Sequence, residues 1–181
     1  HSSLIDFEGQ VVRFRHQTTR DYVLACDVAD GDETMREFLD KFGQSLVVHP
    51  VMRQIAALIR QQPWRSSREF CGLLTDSTVR FHIKAGTLAT MASWPDPSDS
   101  EGGLLVRLFR QDDERLETLF FSHAPTPGWL PHLLASHLRP AAVDRAFSET
   151  ARSRALNYLT QVAPSHPSVI LDIAVELLTQ P

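Results

Sequence analysis

Short apolar stripes with the spacing of one helix face recur along most of this chain, and they constrain its fold more than any other feature. One stripe consists of Met35, Phe38, Leu39 and Phe42. Gly43 follows it as a typical helix stop, and Pro50 suits the first turn of the next helix. Stripes of this kind return roughly every 15 to 25 residues, separated by proline, glycine and turn residues. The pattern predicts an all-α fold of about nine short helices.

Some stretches need a choice between helix and strand, or a choice of helix boundary. Val79, Phe81 and Ile83 alternate as in a strand, but a wider set of residues fits a helical stripe. That stripe consists of Val79, Ile83, Leu88, Met91 and Ala92. Its length and the lack of a nearby partner strand favour a helix. We expect the next helix after Pro63 to begin at Ser66 or Ser67. We also expect one long helix over residues 140–162 and a last helix over residues 167–178.

The first 30 residues follow a different pattern. Apolar residues on either side of Gly9 predict a small β-hairpin over residues 4–15. A helix should follow, capped by Thr18 or Thr19 and ended by the Asp-Gly-Asp run at residues 30–32. One side of this helix would carry Tyr22, Val23, Cys26 and Ala29.

The predicted helices are short, so each has an apolar face that it cannot bury alone. Stacking neighbouring helices would bury these faces, as in an irregular α-solenoid of HEAT-like repeats. We predict such an array over residues 30–181, preceded by the hairpin segment at residues 1–29. An irregular compact helical domain is the alternative. Trp64, Trp94 and Trp129 each adjoin a proline or glycine, and we expect them to pack in corners between helices.

Charge and cysteine content narrow the class of partner. Lys and Arg total 18 against 22 Asp and Glu, a net charge of -4, which argues against a strongly basic nucleic-acid binder. The densest basic cluster, Arg13, Arg15 and Arg20, is diluted by acidic neighbours. No apolar run reaches the roughly 18 residues of a membrane span, so we expect no membrane partner. Cys26 and Cys71 are too few for a disulfide scaffold, which favours reduced thiols and a cytoplasmic location.

Motifs of common enzymes are missing from the sequence. It contains no phosphate-binding G-x-x-x-x-G-K-[ST], no G-x-S-x-G, no H-E-x-x-H and no C-x-x-C. Three histidines, His123, His132 and His137, could approach one another as metal ligands, but solvated or capping roles are the simpler expectation. A nucleophilic pair of Cys71 and His82 lacks a visible orienting partner. We therefore predict no metal site, no catalytic residue and no enzyme activity in this chain.

Residues 12–25, Val-Arg-Phe-Arg-His-Gln-Thr-Thr-Arg-Asp-Tyr-Val-Leu-Ala, carry a resemblance to a known family. They are similar to the end of the winged-helix domain of STAND-class NTPases, the group that includes NACHT and NB-ARC proteins. His16 falls where that family places the histidine of its MHD motif, with Arg15 in place of Met and Gln17 in place of Asp. The resemblance implies that His16 contacts the phosphate of ADP in a parent protein. A structural role at the helix start is the alternative for His16.

The rest of the chain resembles the helical arrays that follow the winged helix in bacterial members of this class. Residues 42–54 and 88–97 are similar to links between such repeats. The resemblance implies a sensor and coupling region that binds a protein trigger or holds an ATPase core inactive, with antiviral defence as a setting. ATP or ADP would bind the parent, whose P-loop domain would precede His1 and which would form a homo-oligomer once opened.

Two further hypotheses come from other classes of protein. One is a free-standing helical-repeat scaffold for protein interactions, without an ATPase partner. The other is a small hydrolase that uses Cys71 or a histidine cluster, which predicts a pocket with a perturbed thiol. The sequence favours the NTPase fragment, because a hairpin without the rest of its winged helix is an unusual start for a free-standing scaffold.

Overall fold

The computed structural model describes residues 5–8, 11–14, 16–111, 114–144 and 146–179. These residues are predominantly helical, which confirms the all-α fold class. The chain divides into two compact units, His1–Thr87 and Leu88–Pro181. Each unit has its own buried core.

The first unit contains two short strands and the first helices. Strands β1 (Ile5–Glu8) and β2 (Val11–Phe14) pair antiparallel, with Ile5 opposite Phe14. The helices are α1 (Gln17–Asp30), α2 (Met35–Phe42), α3 (His49–Arg60) and α4 (Pro63–Thr75), with a 3-10 turn at Leu46–Val48 before α3. Helix α5 (Phe81–Ala92) crosses the division between the units. The turn at Gly9 lies outside the described residues, as do the side chains of Arg13 and Arg15.

The second unit continues with short helices. It contains α6 (Asp99–Arg110), α7 (Glu114–Ser122), a 3-10 turn at Pro127–Trp129, α8 (Leu130–Leu133), a π-helical segment at Leu134–Leu138, α9 (Arg139–Val143), α10 (Glu149–Val162) and α11 (Pro167–Thr179). No helix among the described residues is both long and apolar enough to cross a bilayer.

Helix α1 buries a different face from the one that the sequence suggested. It packs against α3, and its buried residues are Asp21, Ala25, Val28 and Ala29. Tyr22 is 54% exposed and Val23 is 42% exposed, so the predicted face is wrong except at Ala29. The small alanines let α1 approach α3 closely, and the Arg20 guanidinium, 2.8 Å from an Asp21 carboxylate oxygen, makes burial of this acid tolerable. The helix already begins at Gln17, so Thr18 and Thr19 do not cap it.

Helix α2 confirms most of its predicted stripe. The Thr34 hydroxyl accepts the Glu37 backbone N–H, and the Glu37 carboxylate accepts the Thr34 N–H, which forms a capping box. Three predicted residues are buried, but Phe42 is 45% exposed, because it is the last residue of the helix. Its ring still contacts that of Phe38, with centroids 4.6 Å apart. Gly43 follows with φ 79°, a conformation that glycine tolerates best.

The segment that could have been a strand is a turn at Val79 and a helix from Phe81 onward. Every residue of its predicted stripe is at most 4% exposed. Among the three tryptophans, Trp94 and Trp129 are buried and stack with centroids 6.3 Å apart. Trp64 is 75% exposed, so the prediction of an inter-helix corner is wrong for it.

The prediction of one long helix over residues 140–162 is wrong, because a non-helical link separates α9 from α10. Asp144 is extended, with ψ 126°, and its carboxylate accepts the Ala146 N–H at 2.8 Å. The Ser148 hydroxyl then accepts the Ala151 N–H at 3.1 Å and caps α10. Helix α4 also differs: it begins at Pro63 rather than at a serine, since proline fits the first turn of a helix.

The finer architecture stays a prediction. This applies to the array of HEAT-like repeats over residues 30–181. The boundary predicted between residues 29 and 30 separates the hairpin segment from the helical array. The division at Thr87 separates compact units, so it does not test that boundary.

Candidate functional site

His16 stands at the surface immediately before α1. Its backbone is extended, with φ -121° and ψ 130°, and its carbonyl accepts the Thr19 N–H at 3.1 Å. The imidazole is exposed and does not cap the helix. The imidazole therefore plays no part in capping α1. Its contact with a nucleotide stays a prediction.

Cys71 and His82 do not form a nucleophile and base. The Nε2 atom of His82 lies 3.0 Å from the Gln44 carbonyl oxygen, and its ring stacks on His49 with centroids 5.0 Å apart. Burial, and then the neighbouring His82, lower the pKa of His49. No hydrogen bond joins His82 to the half-buried Cys71. The pair thus lacks the contact that would activate the thiol.

The structure gives two of the three candidate metal ligands separate carboxylate partners. His132 Nδ1 lies 3.1 Å from an Asp99 oxygen, whereas His137 Nε2 lies 3.2 Å from a Glu117 oxygen. His123 is exposed. Within the described ranges, no three His, Cys, Asp or Glu side chains are arranged to hold a metal ion.

Arg65 and Glu69 form a buried polar cluster in the first unit. The Arg65 guanidinium donates to the carbonyl groups of Val28, Ala29, Gly31 and Glu33. The Glu69 carboxylate accepts the Met35 N–H at 3.0 Å and the Arg65 Nε–H at 3.3 Å. The cluster gives hydrogen-bond partners to the backbone carbonyl groups at and just after the end of α1, and to the first N–H group of α2. Its role is therefore structural.

A cleft of about 620 Å³ lies in the second unit and is the strongest candidate site there. The end of α6, the start of α7, the π-helical segment, the link after α9 and the first turns of α10 surround it. Its lining residues are Phe109, Arg110, Glu114, Glu117, Ser136, His137, Ala146, Phe147, Ser148, Ala151 and Arg154.

Three charged or titratable side chains, Glu117, His137 and Arg154, form the floor of this cleft, and we call them the floor cluster. Glu117 and His137 are 6% and 5% exposed. The Arg154 guanidinium contacts both Glu117 oxygens at 3.3 Å and donates to the Thr118 hydroxyl at 2.9 Å. It also lies 3.5 Å from the exposed carboxylate of Glu114 at the mouth. The buried charges are therefore paired and hydrogen-bonded.

The π-helical segment and two phenylalanines position His137. The imidazole centroid lies 4.9 Å from that of Phe109 and 6.1 Å from that of Phe121, with the Phe121 ring nearly parallel. A π-helical turn holds one more residue than an α-turn and so rotates the side chains that follow it. Such segments are frequent at functional sites. Here the π-helical segment contains His137, whose imidazole lies against the Glu117 carboxylate.

The electrostatics of the floor cluster keep Glu117 ionised. Burial raises the pKa of this carboxyl, but the hydrogen bonds and charges of His137 and Arg154 outweigh burial and lower the pKa below its ordinary value. An ionised carboxylate only accepts hydrogen bonds, so His137 must donate from Nε2. The Ser148 hydroxyl on the rim caps α10 instead of contacting His137. The arrangement suits binding and orientation of a polar group, since it does not join a hydroxyl nucleophile to the histidine.

Sequence reasoning missed the floor cluster. The apolar residues of α7, Leu116, Leu119 and Phe120, have the spacing of one helix face, but the structure buries Glu117 and leaves Leu119 half-buried. A glutamate between two inward positions was the available signal. Its partners lie 20 and 37 residues further along the chain, and the apolar periodicity gives no information about them.

Comparisons with known proteins give no assignment. No protein-family model, curated protein or solved structure matches this chain.

Proposed function

We propose that this chain is a non-catalytic sensor and coupling region of a cytoplasmic, bacterial STAND-type NTPase. It would bind a protein trigger or hold the ATPase core inactive, and antiviral defence is the setting that the resemblance implies. ATP or ADP would bind the parent, and the core of the parent would be the partner of this chain. The observation that carries the proposal is the sequence of residues 12–25, in which His16 is exposed.

The order of elements around His16 supports the proposal. Two paired strands lead directly into α1, which is the order that the resemblance implies for a wing and the helix after it. An exposed imidazole N–H can donate to a phosphate oxygen of a nucleotide held by a neighbouring domain. The Arg20 side chain, by contrast, is already engaged with Asp21.

The helical part supports recognition of a protein. Arrays of short helices offer a long surface for a partner, and the exposed Trp64 is of the residue type that most often anchors such contacts. For switching to occur, the trigger must bind the open state of the parent more tightly than the closed state.

The proposal is tested with the full-length protein that the gene encodes. We expect a P-loop domain before residue 1 and bound ADP in the resting state. His16→Ala should weaken ADP binding by about tenfold or more, because a hydrogen bond to a charged group contributes about 1.5 to 3 kcal/mol. Gln17→Ala, at the next position, is the matched control. A gene without a P-loop domain, or equal effects of the two variants, would contradict the proposal.

A free-standing protein-interaction scaffold is the second candidate. The separate buried cores of the two compact units favour it, because a chain of this kind can fold without a parent ATPase. It predicts a natural N-terminus near residue 1. Mapping the N-terminus of the protein isolated from its source separates the two proposals.

A further inference from the structure

We propose that α11 is a self-association surface, through which two copies of this chain pair with their α11 helices antiparallel. The proposal goes beyond the sensor function and does not depend on it.

Helix α11 exposes large apolar side chains on one side. Leu171, Val175 and Leu178 are 64%, 52% and 85% exposed. Their spacing of four and three residues places them on a single face. Ile173, at 4% exposure, turns the opposite face inward. The helix is therefore held to the second unit by one side and presents an apolar stripe on the other.

The stripe matches itself when two helices run antiparallel. Leu171 and Leu178 lie equally far on either side of the point between Ala174 and Val175, about 10 Å apart along the axis. A two-fold axis through that point places Leu171 of one copy opposite Leu178 of the other, with Val175 near the centre. A closed dimer requires such a self-complementary patch.

The charges beside the stripe also complement a second copy. Asp172 is exposed and has no ion pair with any residue in the described part of the chain. It lies on the same flank as Glu176, whose carboxylate contacts the half-exposed Arg139 guanidinium at 2.7 Å. In the antiparallel pair, the flank that carries Asp172 and Glu176 in one copy lies beside the same flank of the other copy. Asp172 of one copy then lies at the height of Leu177 of the other, on the flank where Arg139 is held beside Glu176.

A surface of this size should give a weak dimer. One helix pair buries less than the ~1,200 Å² at the lower end of standard interfaces. Association should therefore depend on concentration, and a single charge inside the stripe should abolish most of it.

The first experiment is sedimentation velocity on the 181-residue chain over a concentration series. The wild type should move from monomer to dimer as concentration rises. Leu178→Glu should raise the dissociation constant of the dimer about tenfold or more, since it puts a charge into each end of a small apolar contact. Leu46→Glu is the matched control, because Leu46 is 71% exposed in the first unit and should leave the dimer unchanged. Circular dichroism confirms that each variant is folded.

The second experiment tests the antiparallel register. Asp172→Arg alone places a second cation beside Arg139 of the other copy. Arg139→Glu alone places a second anion beside Asp172 of the other copy. Each variant should therefore dimerise less than the wild type. An equimolar mixture of the two should dimerise again, because every flank then joins opposite charges.

Several results would overturn the proposal. These are a monomer at all concentrations, equal effects of Leu178→Glu and Leu46→Glu, or no recovery in the mixture. Loss of the dimer with Tyr22→Glu but not with Leu178→Glu would move the contact to α1. Association of the 181-residue chain but not of the full-length protein would show that another segment of the protein covers α11.

Discussion

Glu117 is the residue that joins the parts of the floor cluster. Its carboxylate accepts from His137 in the π-helical segment and from Arg154 in α10. Breaking such a buried pair by removing one partner leaves the other charge uncompensated. The cluster therefore stabilises the second unit and sets the charge at the floor of the cleft.

Removing the charge of Glu117 should be costly. Glu117→Gln leaves Arg154 buried with a neutral partner, and we expect a loss of about 3 kcal/mol in the free energy of unfolding. Urea denaturation measures it. Glu114→Gln is the control, because Glu114 is exposed and contacts the same guanidinium at 3.5 Å, so its loss should be below about 1 kcal/mol. Similar losses for the two variants would show that the floor cluster is not a buried ion pair.

The same carboxylate should make stability depend on pH. The folded pKa of Glu117 lies below its ordinary value of 4.5, so its contribution is present above pH 4.5 and is lost as pH falls through the folded pKa. The difference in unfolding free energy between the wild type and Glu117→Gln should therefore narrow as pH falls below 4.5. Denaturation series at several pH values measure this difference. A constant difference would show that the carboxyl does not titrate below its ordinary range.

At the scale of single elements, helix starts and close contacts between helices follow different rules. Ser98 and Glu101 form a capping box at the start of α6, as Thr34 and Glu37 do at α2, and such boxes are local sequence patterns. Contacts between helices depend on side chains far apart in sequence. In α6, a Cβ built on Gly102 would lie 2.4 Å from the His132 Cβ of α8.

Two adjacent glycines of α6 should respond oppositely to alanine. Gly102→Ala forces α6 and α8 apart and should cost about 1 to 3 kcal/mol. A Cβ at the exposed position 103 meets no atom within 4 Å, so Gly103→Ala should stabilise α6 by about 0.5 to 1 kcal/mol. Thermal unfolding followed by circular dichroism measures both changes. Stabilisation by both variants would contradict the packing of α6 on α8.

At the scale of the whole molecule, the chain forms two compact helical units with separate cores. The apolar stripes predicted most of the buried residues of α2 and those of the helix around Ile83 and Met91. They did not predict the division at Thr87. Each stripe indicates the buried face of its own helix but not which other helices pack against it. The proposed self-association through α11 belongs to this scale, because it depends on which helix face is left uncovered by the other described elements.

The sequence by itself determined the helical class and the approximate position of most helices, because periodicity, caps and prolines act over a few residues. Tertiary structure decided which face of α1 is buried, where the predicted helix over residues 140–162 breaks, and the meeting of Glu117, His137 and Arg154. Such outcomes depend on the packing of segments 20 or more residues apart. Burial of a charged side chain is favourable only when its partners are already in place, so local sequence cannot reveal it.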